Sequence, residues 1–264
     1  MIDFHTHCFP DSLAPRVIEK LSFTSGGLLP YSDGTADGLR REMQHYGVDR
    51  SVVLGIATNA AQQRNVNNFI ASINDGTLIG FGSVYPHAED ALEELERIKA
   101  LGLKGVKLHA EYQQFCADDP KMKPIYKKIS QLGLITVFHT GYDYGYAPPY
   151  GAMPDQLRRA LAWFDSPVVA AHWGASRASD EVLRHLCDTD AYFDTSFGYG
   201  QMPREHALQI LERHGVARML FASDMPWHNP EMELRLLRTL GLSDAEMHQI
   251  TDGNAEKLLG LSTN

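Results

Sequence analysis

Met-Ile-Asp-Phe-His-Thr-His, residues 1–7, opens the chain. Asp3, His5 and His7 alternate with Ile2, Phe4 and Thr6. On a β-strand, side chains two apart share a face, so this register predicts that the three polar groups point the same way. Two imidazoles at i and i+2, at the end of a strand, can grip one metal ion from two corners. A His-x-His pair alone also arises by chance on a surface strand. This pair follows an apolar strand residue directly, is extended by Asp3, and is matched by polar residues at the ends of later apolar runs.

Those later runs set the fold. Strands are predicted at 51–56, 78–84, 105–109, 134–139, 168–172, 191–195 and 219–224. Helical patterns lie between them, near 35–46, 60–74, 88–101, 121–132, 154–164, 178–187, 203–213 and 230–240. Two short helices, about 243–251 and 253–259, close the chain. Leu92, Leu95, Ile98 and Leu101 give the clearest helical period. Gly47 and Gly102 read as helix stops, and Pro154 as a first-turn residue. Continuous apolar strands suit a parallel sheet covered on both faces. Eight strand–helix units in 264 residues match the α/β (β/α)8 barrel, a TIM barrel of about 250 residues. An open doubly wound sheet is the runner-up, without a Gly-x-Gly-x-x-Gly turn after the first strand. We therefore expect one barrel domain over 1–264, with loop insertions at about 8–34 and 140–153. The first insertion contains a short helix near 12–21 and reads as a lid or wall over the site.

The net charge is −9 and 44% of residues are hydrophobic. The acidic balance argues against nucleic acid or an anionic membrane as partner. No apolar run is long enough to span a bilayer, and with a motif at residue 2 no cleaved leader is expected. Cys8, Cys116 and Cys187 form neither a disulfide framework nor a zinc motif. They predict reduced thiols and a cytoplasmic location. Cys8 follows His7, but on a strand it would point away from the histidine face.

Barrel active sites sit at strand C-terminal ends. The polar residues there are His5 and His7, Lys107 and His109, His139, His172, and Asp224. Any one could be a core or surface residue; five of twelve histidines at strand ends converge on one mouth. Imidazole and carboxylate suit a divalent transition metal, zinc by default, with manganese, iron, cobalt or nickel as alternatives. Such an ion can lower the pKa of water to about 7, and a neighbouring carboxylate and imidazole can then manage protons.

With its motifs Asp3-Phe-His-Thr-His7, Gly105-Val-Lys-Leu-His109, His139-Thr-Gly141, His172-Trp-Gly174, Ser223-Asp-Met-Pro226 and Gly253-Asn-Ala-Glu-Lys-Leu-Leu259, the chain resembles the amidohydrolase superfamily over its whole length. The nearer match is the amidohydrolase-related branch, which includes aminocarboxymuconate-semialdehyde decarboxylase and other decarboxylases of unsaturated or aromatic acids beside hydrolases. The resemblance implies that His5, His7, His139 and Asp224 bind the metal. It gives Asp224 a second role with the activated water and makes His172 the acid/base or substrate-polarising group. In two-metal relatives a strand-4 lysine is carboxylated and bridges both ions. The expectation here is one ion, with Lys107 as a free cation paired to Asp3 or to a substrate carboxylate. A homodimer is expected at the family level only.

Substrate-binding candidates are Lys107, His109, Arg177, Trp173 and Tyr142. Tyr112, Gln113, Tyr144, Tyr146 and Trp227 stand on the same rim, and Tyr199 and Arg204 rank below them. Arg177 could pair with an anion through its planar fork, and the aromatics suit a flat or ring-shaped small molecule. For each tyrosine, rim packing is an equal reading. The leading expectation is a metal-dependent hydrolase acting through a metal-activated water on a small, carboxylate-bearing cyclic or aromatic substrate. The alternative is a non-oxidative metal-dependent decarboxylase of an unsaturated or aromatic acid. A metal-dependent phosphoesterase and a non-catalytic metal scaffold rank lower.

Overall fold

The computed structural model describes residues 1–261. Eight parallel strands run in the order β1 to β8: Ile2–Thr6, Arg50–Leu54, Leu78–Gly82, Gly105–His109, Ile135–His139, Val168–Ala170, Tyr192–Asp194 and Met219–Leu220. Helices connect them, so the architecture is the expected (β/α)8 TIM barrel. After β1 come α1 (Ala14–Thr24) and α2 (Ala36–Tyr46). Then follow α3 (Ala60–Ile73), α4 (Ala91–Ala100), α5 (Ala110–Gln113), α6 (Lys123–Gln131), α7 (Pro154–Leu161), α8 (Ser179–His185), α9 (Arg204–His214), α10 (Pro230–Arg238), α11 (Asp244–His248) and α12 (Asn254–Leu259). Among the described residues no helix is long and apolar enough to cross a membrane.

Local chemistry sets the helix ends. Thr35 accepts from Gly38 N at the start of α2, and Gly47 ends it with φ 69°. Asn59 and Asn229 cap α3 and α10 in the same way. Each cap satisfies a backbone donor that has no partner within the helix.

Two apolar layers follow from the strand period. Ile2, Phe4, Val52, Leu54, Ile79, Phe81, Ile135, Val137, Val169, Ala171, Leu220 and Ala222 fill the barrel interior, joined by Ala255 and Leu259 of α12. The alternate strand residues, such as Val53, Val106, Phe138 and Phe193, pack against the helices. A Cβ on Gly105 would lie 2.4 Å from the Phe81 ring and 2.3 Å from Ile135 O. The bare backbone of β4 is what lets that ring occupy the interior.

Two expectations change in detail. Strict alternation along β1 fails: Asp3 pairs with Ser51 but Thr6 with Val53, so β1 carries one extra residue between them. Such a bulge re-aims side chains. Ile2 and Phe4 fill the interior, yet His5 still reaches the mouth. The strands predicted at 168–172 and 219–224 are shorter, ending at Ala170 and Leu220, and the chain then turns at His172 and Asp224, with φ 64° and 68°. Beyond β8 the chain closes the ring against β1 instead: Phe4 N donates to Phe221 O (2.8 Å), Asp224 N to His5 O (2.8 Å) and His7 N to Met225 O (2.7 Å).

Candidate metal centre

His5, His7 and Asp224 meet at the open end of the barrel. His5 Nε2 lies 3.2 Å from His7 Nε2. Asp224 Oδ1 lies 3.3 Å from the first and 3.1 Å from the second. Their hydrogen-bond partners decide which atoms face inward. His7 Nδ1 is 2.9 Å from Leu54 O, an acceptor only, so Nδ1 carries the proton. His5 Nδ1 is 2.8 Å from the buried Asp194 carboxylate and donates to it. In neutral rings both Nε2 atoms then present lone pairs. Asp224 Oδ1 is buried and has no hydrogen-bond partner. Three lone pairs thus face one another with no proton between them. A cation satisfies that arrangement, and the donor set of two imidazoles and a carboxylate fits a divalent transition metal.

Electrostatics point the same way. Burial, then the Lys107 charge, holds His5 well below the ordinary imidazole range, which keeps it neutral, the form a metal ligand requires. Burial raises Asp224, but the charge around it outweighs burial and the carboxyl stays below its ordinary value, the ionised form a ligand requires.

Lys107 is 1% exposed, with Nζ 3.4 Å from His5 Nε2. Burial pushes it down to about 8, while Asp194 and Asp224 pull it back up. The expected pairing with Asp3 does not form. Asp3 is occupied by Ser223 N (2.9 Å), Ser223 Oγ (2.5 Å) and His5 N (3.2 Å), stitching β1 to the segment after β8. Burial raises it to about 7 against these donors.

His172 stands within 4.8 Å, ligand atom to ligand atom, of both His5 and Asp224. Ser196 Oγ donates to Asp194 Oδ1 (2.5 Å), so it accepts from His172 Nδ1 at 2.8 Å. His172 Nε2 then accepts from His139 Nδ1 at 3.0 Å. Burial first, then His139, keeps His172 below its ordinary range. Burial and then His109 push His139 down to about 3. His139 Nε2 is buried without a hydrogen-bond partner and faces Asp143 at 3.9 Å.

A second group, His109, Glu111 and His139, borders the first. The rings of His109 and His139 stack 4.2 Å apart with 5° between planes. Their in-plane lone pairs run parallel and do not converge, so this pair is poorly shaped to share an ion. His109 lies between Glu111 Oε2 (3.4 Å) and Asp143 Oδ2 (3.2 Å) and stacks on Tyr112 at 3.9 Å.

Asp194, absent from the sequence expectations, joins the two halves: it holds His5, the His172 backbone N (2.9 Å) and Ser196. The signal was available, since Asp194 is a carboxylate at the end of an apolar strand. Glu111 and Asp143 carried no such signal, because they lie on the segments after β4 and β5.

The rim candidates separate. Tyr112, Tyr142, Tyr144, Trp227 and Cys8 line the cavity above the centre with His109. Burial pushes the Cys8 thiol up to about 12, so it is not a thiolate there. Trp173 is corrected: the positive φ at His172 and Trp173 turns its indole into the core, where Nε1 donates to Thr195 O (2.9 Å). Arg177 is corrected too. It is exposed and lies over the Tyr144 ring at 4.9 Å, outside the cavity lining. Tyr146 and Tyr199 are exposed and also lie outside that lining. Gln113 is buried and spends its amide on Ala57 O, Ser83 Oγ and Val84 O. Arg204 binds Thr239 O, at the end of α10.

Residues 2–261 match a family model described as amidohydrolase. The fold is similar to an uncharacterised TIM-barrel protein from Bordetella bronchiseptica, at 21% identity and TM-score 0.78 over 98% of each chain. It is similar to 5-carboxyvanillate decarboxylase from Sphingomonas paucimobilis, at 16% identity and TM-score 0.72 over 99% of each chain. A dihydroxybenzoic acid decarboxylase from a Polaromonas species, solved with manganese and 2-nitroresorcinol, is similar at 17% identity and TM-score 0.71, over 100% of this chain and 97% of the other. At these identities the likeness concerns the fold. No curated protein matches the sequence of this chain.

Proposed function

This chain belongs to the amidohydrolase family, and from that premise we propose that it is a metal-dependent enzyme that decarboxylates an unsaturated or aromatic acid without oxidation. The observation that carries the proposal is the convergence of three unprotonated ligand atoms beside one buried ammonium group. His5, His7 and Asp224 would hold one divalent ion, zinc or manganese first among the choices; His139, the expected further ligand, turns its ring nitrogens to His172 and Asp143 instead. When bound there, such an ion would supply Lewis-acid polarisation of the substrate. Lys107 holds the substrate carboxylate in a site where burial strengthens the attraction. When the carbon–carboxyl bond breaks, its electron pair stays on the substrate carbon, carbon dioxide leaves and a proton takes its place. His172, linked to Asp194 through Ser196 and to His139, is the group through which that proton passes. Support for decarboxylation comes from the likeness in fold to decarboxylases of aromatic acids. Glu111 and Asp143 at the mouth disfavour a phosphoester.

Hydrolysis is the second reading. The unpartnered Asp224 Oδ1 favours it, since that oxygen could take a proton from an attacking water. The metal-loaded protein, offered panels of aromatic acids, lactones and amides in ¹⁸O-water, should release carbon dioxide with no ¹⁸O in the product. Incorporation of ¹⁸O without carbon dioxide would replace decarboxylation by hydrolysis. His172→Asn should keep its metal and lose turnover by about 100-fold or more; loss of the metal would make His172 a ligand.

A further inference from the structure

The cavity that holds this centre is larger than the centre needs. Its volume is about 470 Å³, within the range of roughly 300–1,000 Å³ that encloses drug-sized ligands. One end is polar, formed by the metal-centre residues and Lys107. The other end runs between α1 and α3 and is lined mainly by Val17, Leu21, Leu28, Val66 and Phe69, with polar side chains beside them.

These residues have the spacing of core faces. Val17 and Leu21 are four apart on α1, and Val66 and Phe69 three apart on α3. Core faces of packed helices interdigitate with few voids. Here they do not: Val17, Leu21, Val66 and Phe69 are only half-buried, and Ala14 is the only buried residue of α1. Two mainly apolar faces, edged by Lys20, Thr24, Gln62 and Asn65, therefore line one open space. Apolar atoms filling that space would remove both faces from water. Because the space is continuous with the centre, the molecule that reacts there is the occupant within reach.

We infer that the substrate is bipartite: a carboxylate end held at Lys107 and the metal centre, and an apolar alkyl or aryl end seated between α1 and α3. This rests on the centre being the reactive end, as proposed above. It goes beyond that reading by requiring a hydrocarbon portion much longer than a simple hydroxybenzoate offers.

The test is calorimetric binding of benzoate and its 4-butyl and 4-octyl derivatives, with and without metal and without reading turnover. The dissociation constant should fall by about three- to fourfold for each methylene buried, until the cavity is filled. Leu21→Lys, or Val17→Ser should the first variant not fold, should flatten the series. Leu29→Ala, 77% exposed and outside the cavity lining, should leave it steep. A flat series in the unaltered protein overturns the inference. A steep series with no carbon dioxide from any acid would leave the inference standing and sink the decarboxylase reading.

Discussion

Asp194 shows how much of the site depends on a residue that would not touch an ion. Its two carboxylate oxygens fix the His5 ring, the His172 backbone and the Ser196 hydroxyl. By holding the proton on His5 Nδ1 it aims the Nε2 lone pair at Asp224. Partners of this kind are worth about 10–100-fold in metal affinity. Asp194→Asn should therefore weaken metal binding by about that factor while leaving the fold intact, as measured by titration against a competing chelator. An unchanged affinity would show that packing alone orients His5. The positive φ of His172 and Asp224 belongs to the same scale. Left-handed backbone is costly for side chains other than glycine and concentrates at functional sites. Here it is held by Asp194 Oδ1 on His172 N and by His5 O on Asp224 N.

Among the elements, β4 carries the sharpest packing constraint. Gly105, Lys107 and His109 share the inward face: a Cβ on Gly105 would meet the Phe81 ring, and Lys107 and His109 line the cavity. Gly105 makes room for Phe81, and Lys107 takes the layer above it. Gly105→Ala should destabilise the protein by about 1–3 kcal/mol through overpacking, read as a lower urea midpoint at constant slope. A neutral result would mean that the Phe81 ring can move aside. β1 teaches the opposite lesson. Its alternating pattern suggested one shared face for Asp3, His5 and His7, but the bulge separates Asp3 from the other two. An extra residue in a ladder leaves no mark in a single strand's sequence, because it is a property of two strands.

For the whole molecule, buried neutral histidines tie stability to pH. His214 is the clean case, because it lies away from the centre. It stacks on Phe193 at 3.8 Å, and its Nδ1 is 3.0 Å from Cys187 O. Burial is the main cause that lowers its pKa from 6.5. The folded state then binds fewer protons than the unfolded state just below pH 6.5. Stability accordingly rises with pH, is fully present above 6.5, and is lost as pH falls below it. The metal-free protein should melt at a lower temperature at about pH 5 than at about pH 7.5. In His214→Gln that drop should be smaller. It should not vanish, since His5, His139 and His172 are shifted the same way. An equal drop in the variant would remove His214 from the account.

The sequence by itself determined the class of fold and the chemistry gathered at its mouth. Apolar strands and amphipathic helices repeat with periods set by backbone geometry, and each polar strand end sits in a run that any barrel would bury. It could not determine which of those ends meet. Pairing register, the bulge in β1 and the left-handed turns at His172 and Asp224 arise from contacts between distant segments. They decided that His5, His7 and Asp224 share one point, that Asp194 orients them, that Trp173 belongs to the core, and that α1 and α3 leave a mainly apolar space between them.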